Sequence, residues 1–362
     1  MTALHAVVRA VDPPPASAPR LQVEAVDDSC AADWDAFVAS EPGASVYHGY
    51  AWRRLVQSVF GHQTFYFAAR EGAKIVGVLP LVRLKSRLFG DFLISVPYFN
   101  YGGVVAQSPQ ACDALLQHAA ATAQSLGVSH IELRHRAAGQ HTWPARTDKV
   151  AMLLELPATP EALQKTLPSK LRSQIKRPLR EGVTCSFGGE ELLDSFYAVF
   201  AENMRDLGTP VYPRRFFRAV LQTLGERARI ALVRLREAPV AAALLVRHRD
   251  TTEIPWASSL RRVNGLGVNM YLYWSVLEFA VQQGSAVFDF GRSTLDSGTY
   301  RFKKQWGAEP LQLHWHYWLK GGGELPRLNP SNPKYRVAVA AWQKLPLPVA
   351  NWLGPHLVKN LP

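Results

Sequence analysis

Cysteine is scarce in this chain of 362 residues: Cys30, Cys112 and Cys185 stand far apart and are odd in number. They offer neither a disulfide framework nor a zinc-binding spacing. Such sparse usage fits a reducing cytoplasm. Acidic residues are also in short supply, with 29 Asp and Glu against 41 Lys and Arg, for a net charge of +12. A surface of that sign concentrates anions such as nucleic acid, phosphorylated sugars, coenzyme A or anionic lipid, without choosing among them. Nowhere do 18 uncharged apolar residues run together, so no membrane-spanning helix is expected. The first residues lack the apolar core and cleavage pattern of a secretory signal. Residues 1–20 read as a flexible leader ending in a Pro/Ala/Ser linker. No G-x-S-x-G elbow occurs, which argues against a serine hydrolase. His314 and His316 stand two residues apart, but no further ligand has suitable spacing beside them, so no metal is expected.

What is present is an ordinary globular balance, 48% hydrophobic and 19% charged, in a chain long enough for two domains. Two stretches repeat. FYFAAREGAKIVGVLPLVRL, near 65–85, and IALVRLREAPVAAALLVR, near 230–247, each place a short charged turn between β-rich segments, the pattern of an antiparallel hairpin. Further on, a helix rich in Ala and Leu ends at Gly127 and leads into a strand. The same order recurs with Gly284 as the stop, as expected of a C-terminal glycine. Gly127 to Gly284 and Glu132 to Asp289 share an offset of about 157 residues, a domain-sized period. Hairpin, helix and returning strand used twice predict an α/β (α+β) fold with mixed, mainly antiparallel sheets. The expected division is 21–160 and 161–320, followed by a tail over 321–362. The segment 162–180 reads as a basic helix carrying Lys165, Lys170, Arg172, Lys176, Arg177 and Arg180, punctuated by Pro168 and Pro178. It presents either a solvated face or a surface for RNA phosphates. Residues 311–319 alternate as a single strand. The tail, with Trp342 and Trp352, either packs on the body or lies on a membrane surface.

The densest chemistry lies in VFDFGRSTLDSGTYRFKKQWGAEP, residues 287–310. A strand delivers Asp289, opens at Gly291 into a loop with Arg292, Ser293, Ser297 and Tyr300, and closes on Phe302, Lys303 and Lys304, with Trp306 behind. Cations beside glycines suit a phosphate or an oxyanion, a role expected of Lys303 and Arg292. Asp289 is a candidate base, with Asp296 as a second and Glu132 at the matching place in the first copy. Arg262-Val263-Asn264-Gly265-Leu266-Gly267 matches an R-x-x-G-x-G loop directly before a helix, a pattern whose amides can cradle a pyrophosphate. In the first copy Tyr98, Asn100, Tyr101, Gly102 and Gly103 either line a ligand cleft or pack a domain interface. Ser45, Tyr47, His48 and Trp52 either line the same cleft or pack as aromatic core.

These residues also carry a resemblance. DFGRS followed by GTYRFKKQWG looks like the C-terminal signature of FemAB-type transferases, and VPYFNYGGVV, ENMRDLGTPVYPRRFF and NPSNPKY…WQKLPLPVANWLGP resemble the branch associated with exopolysaccharide and exosortase clusters. The resemblance covers most of the chain from about residue 30. It implies tandem acyltransferase domains of the GNAT type and transfer of an acyl or aminoacyl group to an amine of a cell-envelope glycan or peptidoglycan-type precursor, phosphorylated or lipid-linked. It places the family's Phe-Lys pair on Phe302–Lys303 and an Arg/aromatic segment near Tyr212, Arg214, Arg215 and Phe217. The donor in the classical family is aminoacyl-tRNA, but the long coiled-coil arm of its classical members is missing here. The R-x-x-G-x-G loop points instead to acyl-CoA acting on exopolysaccharide precursors. Either donor is a co-substrate, with no tightly bound cofactor. A cytoplasmic protein, peripheral at the inner membrane through its tail, is the matching location. The reading from a different class is a non-catalytic binding protein of a polysaccharide assembly complex.

Overall fold

The computed structural model describes residues 20–139, 142–326 and 333–361; all but the last residue of the expected leader lies outside them. The first half runs β1 (Leu21–Ala25), α1 (Ala31–Ser40), α2 (Ala51–Phe60), β2 (Thr64–Glu71), β3 (Lys74–Ser86), β4 (Gly90–Ile94), β5 (Val105–Ala106), α3 (Pro109–Leu126), β6 (His130–His135) and β7 (Ala145–Arg146). The second runs β8 (Lys149–Glu155), α4 (Pro160–Thr166), α5 (Ser169–Leu179), β9 (Val183–Gly188), α6 (Leu193–Leu207), α7 (Arg214–Leu224), β10 (Ala228–Leu235), β11 (Ala238–His248), β12 (Thr251–Ser259), α8 (Val268–Gln282), β13 (Val287–Thr294), α9 (Gly298–Lys304) and β14 (Glu309–Gln312). β15 (His314–Leu319), α10 (Pro333–Gln343) and α11 (Leu347–Val358) complete the chain.

Both predicted hairpins are present, as β2–β3 and β10–β11. Gly127 caps α3 in the left-handed region at φ +68°, and Gly284 follows α8 at φ +71°. Glycine takes that conformation without a Cβ clash. The two sheets are mixed and mainly antiparallel. One has the order β1-β2-β3-β4-β6-β15-β7, with β5 against β3, and the other β14-β8-β13-β12-β11-β10-β9. In each, a parallel pair interrupts the antiparallel order: β4 with β6, and β12 with β13.

Two strands cross between the sheets. β8 pairs with β13 and β14 in the second sheet, although it precedes residue 160, while β15 returns to the first sheet beside β6. The alternating segment 311–319 is therefore two strands rather than one. The chain leaves the second sheet at Gln312 and enters the first at His314, and Leu313, fully buried, donates its amide to Lys149 O at 3.1 Å. The basic segment 162–180 is likewise two helices. Pro168 stands at the N-cap of α5, and Pro178 lies inside its last turn, where its missing N–H leaves the helix one i→i−4 bond short near its end. The largest hydrophobic cluster spans both halves, from Tyr47, Trp52 and Phe99 to Phe216, Trp256 and Leu277, and two smaller ones lie in the first half. In the tail, Ala350, Gly354 and Val358 form the buried face of α11, whereas Trp352 is 68% exposed.

Candidate active site

β12 and β13 run side by side for three residues only: Thr251 opposite Val287, Thr252 opposite Phe288 and Glu253 opposite Asp289. Beyond that they part, and a V opens between them. The apex therefore brings two carboxylates together in adjacent strands. Both are buried, Glu253 at 7% and Asp289 at 1% exposure. Asp289 Oδ2 accepts from Tyr101 Oη at 2.6 Å and Oδ1 from Gly291 N at 2.7 Å. The second bond needs the chain to double back at Gly291, whose φ of +72° suits glycine. Glu253 Oε2 accepts from Tyr47 Oη at 2.7 Å and Oε1 from Asn100 Nδ2 at 2.9 Å. Burial raises both carboxyl pKa values, and the charge of Asp289 pushes that of Glu253 further up. Hydrogen bonds to Asp289 and the positive charges of Arg136 and Lys303 oppose the effect. Asp289 is thus the better-supported charge, and Glu253 the group that holds a proton longest.

Past the apex, Lys303 reaches in from α9. Its Nζ donates to the carbonyls of Gly291, at 3.1 Å, and Arg292, at 2.9 Å, both beyond the last residue of β13 that pairs with β12. Burial lowers its pKa to about 8, with Asp289 pulling the other way and Arg292 reinforcing the drop. At the mouth is a cavity of about 260 Å³. Asn203, Ser258, Asn269, Tyr273, Phe302 and Lys303 are among its lining residues. Phe302 meets Tyr273 edge to face at 4.8 Å. Asn203 Nδ2 donates to Ser258 Oγ at 3.1 Å. An apolar wall with a few amides, hydroxyls and one low-pKa amine suits an acyl group and its carbonyl.

The first copy has the same parallel pair, β4 with β6, and Glu132 is the counterpart of Asp289. Its V, however, is filled by the chain itself. Ser95 N donates to Glu132 O at 2.9 Å, Gly102 N to Arg134 O at 2.8 Å, and Arg134 Nη1 to Phe99 O at 2.7 Å. Glu132 is bound internally by Arg134 Nε at 2.8 Å and Tyr317 Oη at 2.9 Å. The segment 98–103 thus plugs one V and sends Asn100 and Tyr101 to the apex of the other. Gly102 and Gly103 do not admit a ligand to the backbone. A Cβ on Gly102 would lie 2.7 Å from Ser95 O, and one on Gly103 2.5 Å from the His135 ring. Tyr98 turns away, donating to Lys359 O at 2.7 Å beside His62.

The other expected residues are spread more widely. Arg292 projects from β13 with a surface that remains exposed, yet it is crowded by protein: its guanidinium lies 5.2 Å from the Trp315 ring centre. Burial and neighbouring Arg134 lower its pKa to about 10. Tyr212 sits nearby in an aromatic cluster with Phe216 and Trp256. Arg215 ties α7 to α2 by donating to Val59 O at 2.6 Å. Lys304 pairs with Glu309 at the surface. Tyr300 is half-buried, and Trp306 is buried behind Phe302. Asp296 is exposed in a turn. Arg262 pairs with Glu202. Gly265 is exposed, and Gly267 closes a helical turn over Arg261–Leu266, its N–H bonded to Asn264 O at 3.1 Å. His316 is buried against His135, with 3.0 Å between their Nδ1 atoms. No group of three potential metal ligands occurs among the described residues.

Sequence reading missed Glu253, Arg136 and Asn203, and placed Tyr47 either at the cleft or in the aromatic core. The available signal for Glu253 was a carboxylate inside an otherwise apolar strand, TTEIPWASS.

A family model described as an acetyltransferase (GNAT) domain matches residues 169–304, the span that contains both arms of the open V. No curated protein matches the chain. Among solved structures it is similar to FemX, at 15% identity and a TM-score of 0.62 over 83% of this chain and 98% of that one. It is also similar to the C-terminal domain of a putative lysylphosphatidylglycerol synthetase from Agrobacterium fabrum, at 11% identity and a TM-score of 0.55, covering 87% and 95%. A tandem GNAT protein from the clavulanic acid biosynthesis pathway matches at 13% and 0.53, covering 84% and 100%. At these identities the likeness is one of fold. The architecture is a tandem pair of GNAT-like units, and with a GNAT domain spanning the V the chain is an acyltransferase; the non-catalytic reading gives way to that. No described helix is long and apolar enough to cross a membrane.

Proposed function

We propose that this chain is an N-acyltransferase. It draws its donor into the V between β12 and β13 and transfers an aminoacyl or acyl group to an amine of a cell-envelope glycan or peptidoglycan-type precursor. The observation that carries the reading is the contrast between the two copies: one V is plugged by residues 95–103, while the other is open, holds Lys303 and ends on two carboxylates. In this reading the donor carbonyl lies near Lys303, whose N–H groups stabilise the developing oxyanion, and the acceptor amine gives up a proton towards Asp289. Arg292, exposed beside Tyr212 and Trp315, supplies positive charge for the acceptor's phosphate. The envelope acceptor is supported by the resemblance to FemAB-type transferases. The exopolysaccharide branch rests on sequence motifs alone.

Two donors remain in competition. The surface of α5 favours aminoacyl-tRNA: Lys170, Lys176, Arg177 and Arg180 are exposed, make no ion pair with any described residue, and lie on a helix whose Gln174 carbonyl is 3.6 Å from a Cβ placed on Gly267. The R-x-x-G-x-G spacing favours acyl-CoA, although the amides of Val263 and Gly267 are already bonded within their turn. Calorimetric titration separates the two. Micromolar binding of charged tRNA, weakened at least tenfold in a Lys170→Ala/Lys176→Ala/Arg177→Ala variant, supports the first. Binding of acyl-CoA, unaffected by that variant and lost with Gly267→Val, assigns the second. Binding of neither contradicts the placement of a donor in this V.

A further inference from the structure

Helices α10 and α11 both pack on α6 through one face and leave the other bare. On α11, Ala350, Gly354 and Val358 point inward, and Gly354 sits so close that a Cβ there would lie 2.8 Å from Val211 N. On the opposite face Pro348, Val349, Trp352 and His356 meet solvent. None of the 12 residues from Leu347 to Val358 is Lys, Arg, Asp or Glu. A helix that is apolar all round is normally buried, yet Trp352 on this outer face is 68% exposed. α10 repeats the pattern. Val339 packs against Gly208, just past α6. Val337 and Ala341 share the opposite face and are exposed, as is Lys344 just after the helix. Leu207, beside that contact at the end of α6, is 56% exposed.

The charge around these faces has one sign. From 325 to 362 the sequence holds five Lys and Arg and no Asp or Glu, and Arg336 and Lys344 are exposed. The acids in the last two turns of α6, Glu202 and Asp206, are each held by an arginine.

We propose that the outer faces of α10 and α11 form a docking surface for an anionic phospholipid bilayer. Val337, Val349 and Trp352 enter the boundary between headgroups and acyl chains, and Arg336 and Lys344 meet lipid phosphates. Apolar burial and the attraction of basic side chains to acidic lipid are the two sources of such binding, and an indole, apolar with one polar N–H, suits that boundary. The helices lie on the bilayer and do not cross it, since 12 residues are too few for a hydrocarbon core of about 30 Å. A second copy of the chain is the rival occupant. Charge argues against it, because a two-fold contact through this face would set its cations against their own copies. The surface is also tied to the apex. Lys359 O, just past α11, accepts from Tyr98 Oη at 2.7 Å and lies 2.8 Å from His62 Nε2. Tyr98 precedes by two residues Asn100, which bonds Glu253. A bilayer bound here therefore keeps a fixed position relative to the apex.

Sedimentation of the full-length protein with vesicles tests the surface, using phosphatidylcholine alone or with about one third phosphatidylglycerol. Binding to the anionic vesicles should be at least about tenfold tighter than to phosphatidylcholine and should weaken with salt. It should fall about tenfold or more in Val349→Ser/Trp352→Ser and in Arg336→Glu/Lys344→Glu; these positions are exposed, and circular dichroism verifies that the fold is kept. The chain has ten tryptophans, so insertion of this one is read with brominated lipid, whose quenching of the fluorescence should drop sharply in Trp352→Phe. Equal binding to both vesicles, binding unchanged in either double variant, or quenching unchanged in Trp352→Phe would overturn the proposal. So would a dimer in sedimentation equilibrium that Val349→Ser/Trp352→Ser dissociates, in a protein that binds no vesicle; that result assigns the face to self-association. No donor or acceptor enters these measurements, so their outcome is separate from that of acyl transfer.

Discussion

Lys303 shows how a single side chain can be read from its surroundings. Removing an ammonium from water is costly, and Lys303 is only 8% exposed. Two carbonyls compensate in part, and each can also accept from a neutral amine. Its pKa of about 8 lies below the value of about 10.4 for an unfolded lysine. Between these two values the unfolded chain binds a proton that the folded chain does not, so stability rises with pH across the interval. Chemical denaturation of wild type and Lys303→Met from pH 7.5 to 10.5 should show the wild type gaining stability relative to the variant. A difference that is flat or of opposite sign would mean that Lys303 is charged and solvated. The lysine itself was legible in the sequence, because the FKK run carries a resemblance. Glu253 was not: 36 residues separate it from Asp289, and only the register of β12 on β13 makes them neighbours.

At the scale of elements, the plug at 95–103 decides, in the proposed reading, which copy can work. The segment is forced into unusual backbone, with Val96 at φ +48°, Tyr98 at +75° and Gly103 at +98°, and it is held by the bonds it makes to β6. Strain of this kind persists only where the surroundings over-determine it. Gly103→Ala would set a methyl against His135 and impose a left-handed conformation on alanine, destabilising the fold by about 2 kcal/mol or more; urea denaturation would measure it. Because the plug also carries Asn100 and Tyr101, acyl transfer in this variant should fall more than stability alone requires. Hairpins and helix stops were legible because each is a local pattern, and the period of about 157 residues because it repeats such local patterns. The plug was not, because FNYGG reads equally as a ligand loop or an interface until β6 is placed beside it.

Across the whole molecule, the two copies are interdependent. Strands β8 and β15 are exchanged between the sheets, the largest hydrophobic cluster runs through both halves, and residues of the first half hydrogen-bond both apex carboxylates. The exchange was hidden because 311–319 alternates without a break, and alternation reports burial on a sheet without saying which sheet. The first half thus has a definite task in this account: it has given up its own cleft and completes that of its neighbour. The direct test of the central claim is turnover by Lys303→Ala with its preferred donor and a saturating amine, alongside circular dichroism to verify the fold. The account predicts that kcat falls by about 100-fold or more in a protein that remains folded and still binds its donor. Near-normal turnover in a folded Lys303→Ala variant would contradict it and place the chemistry outside the V.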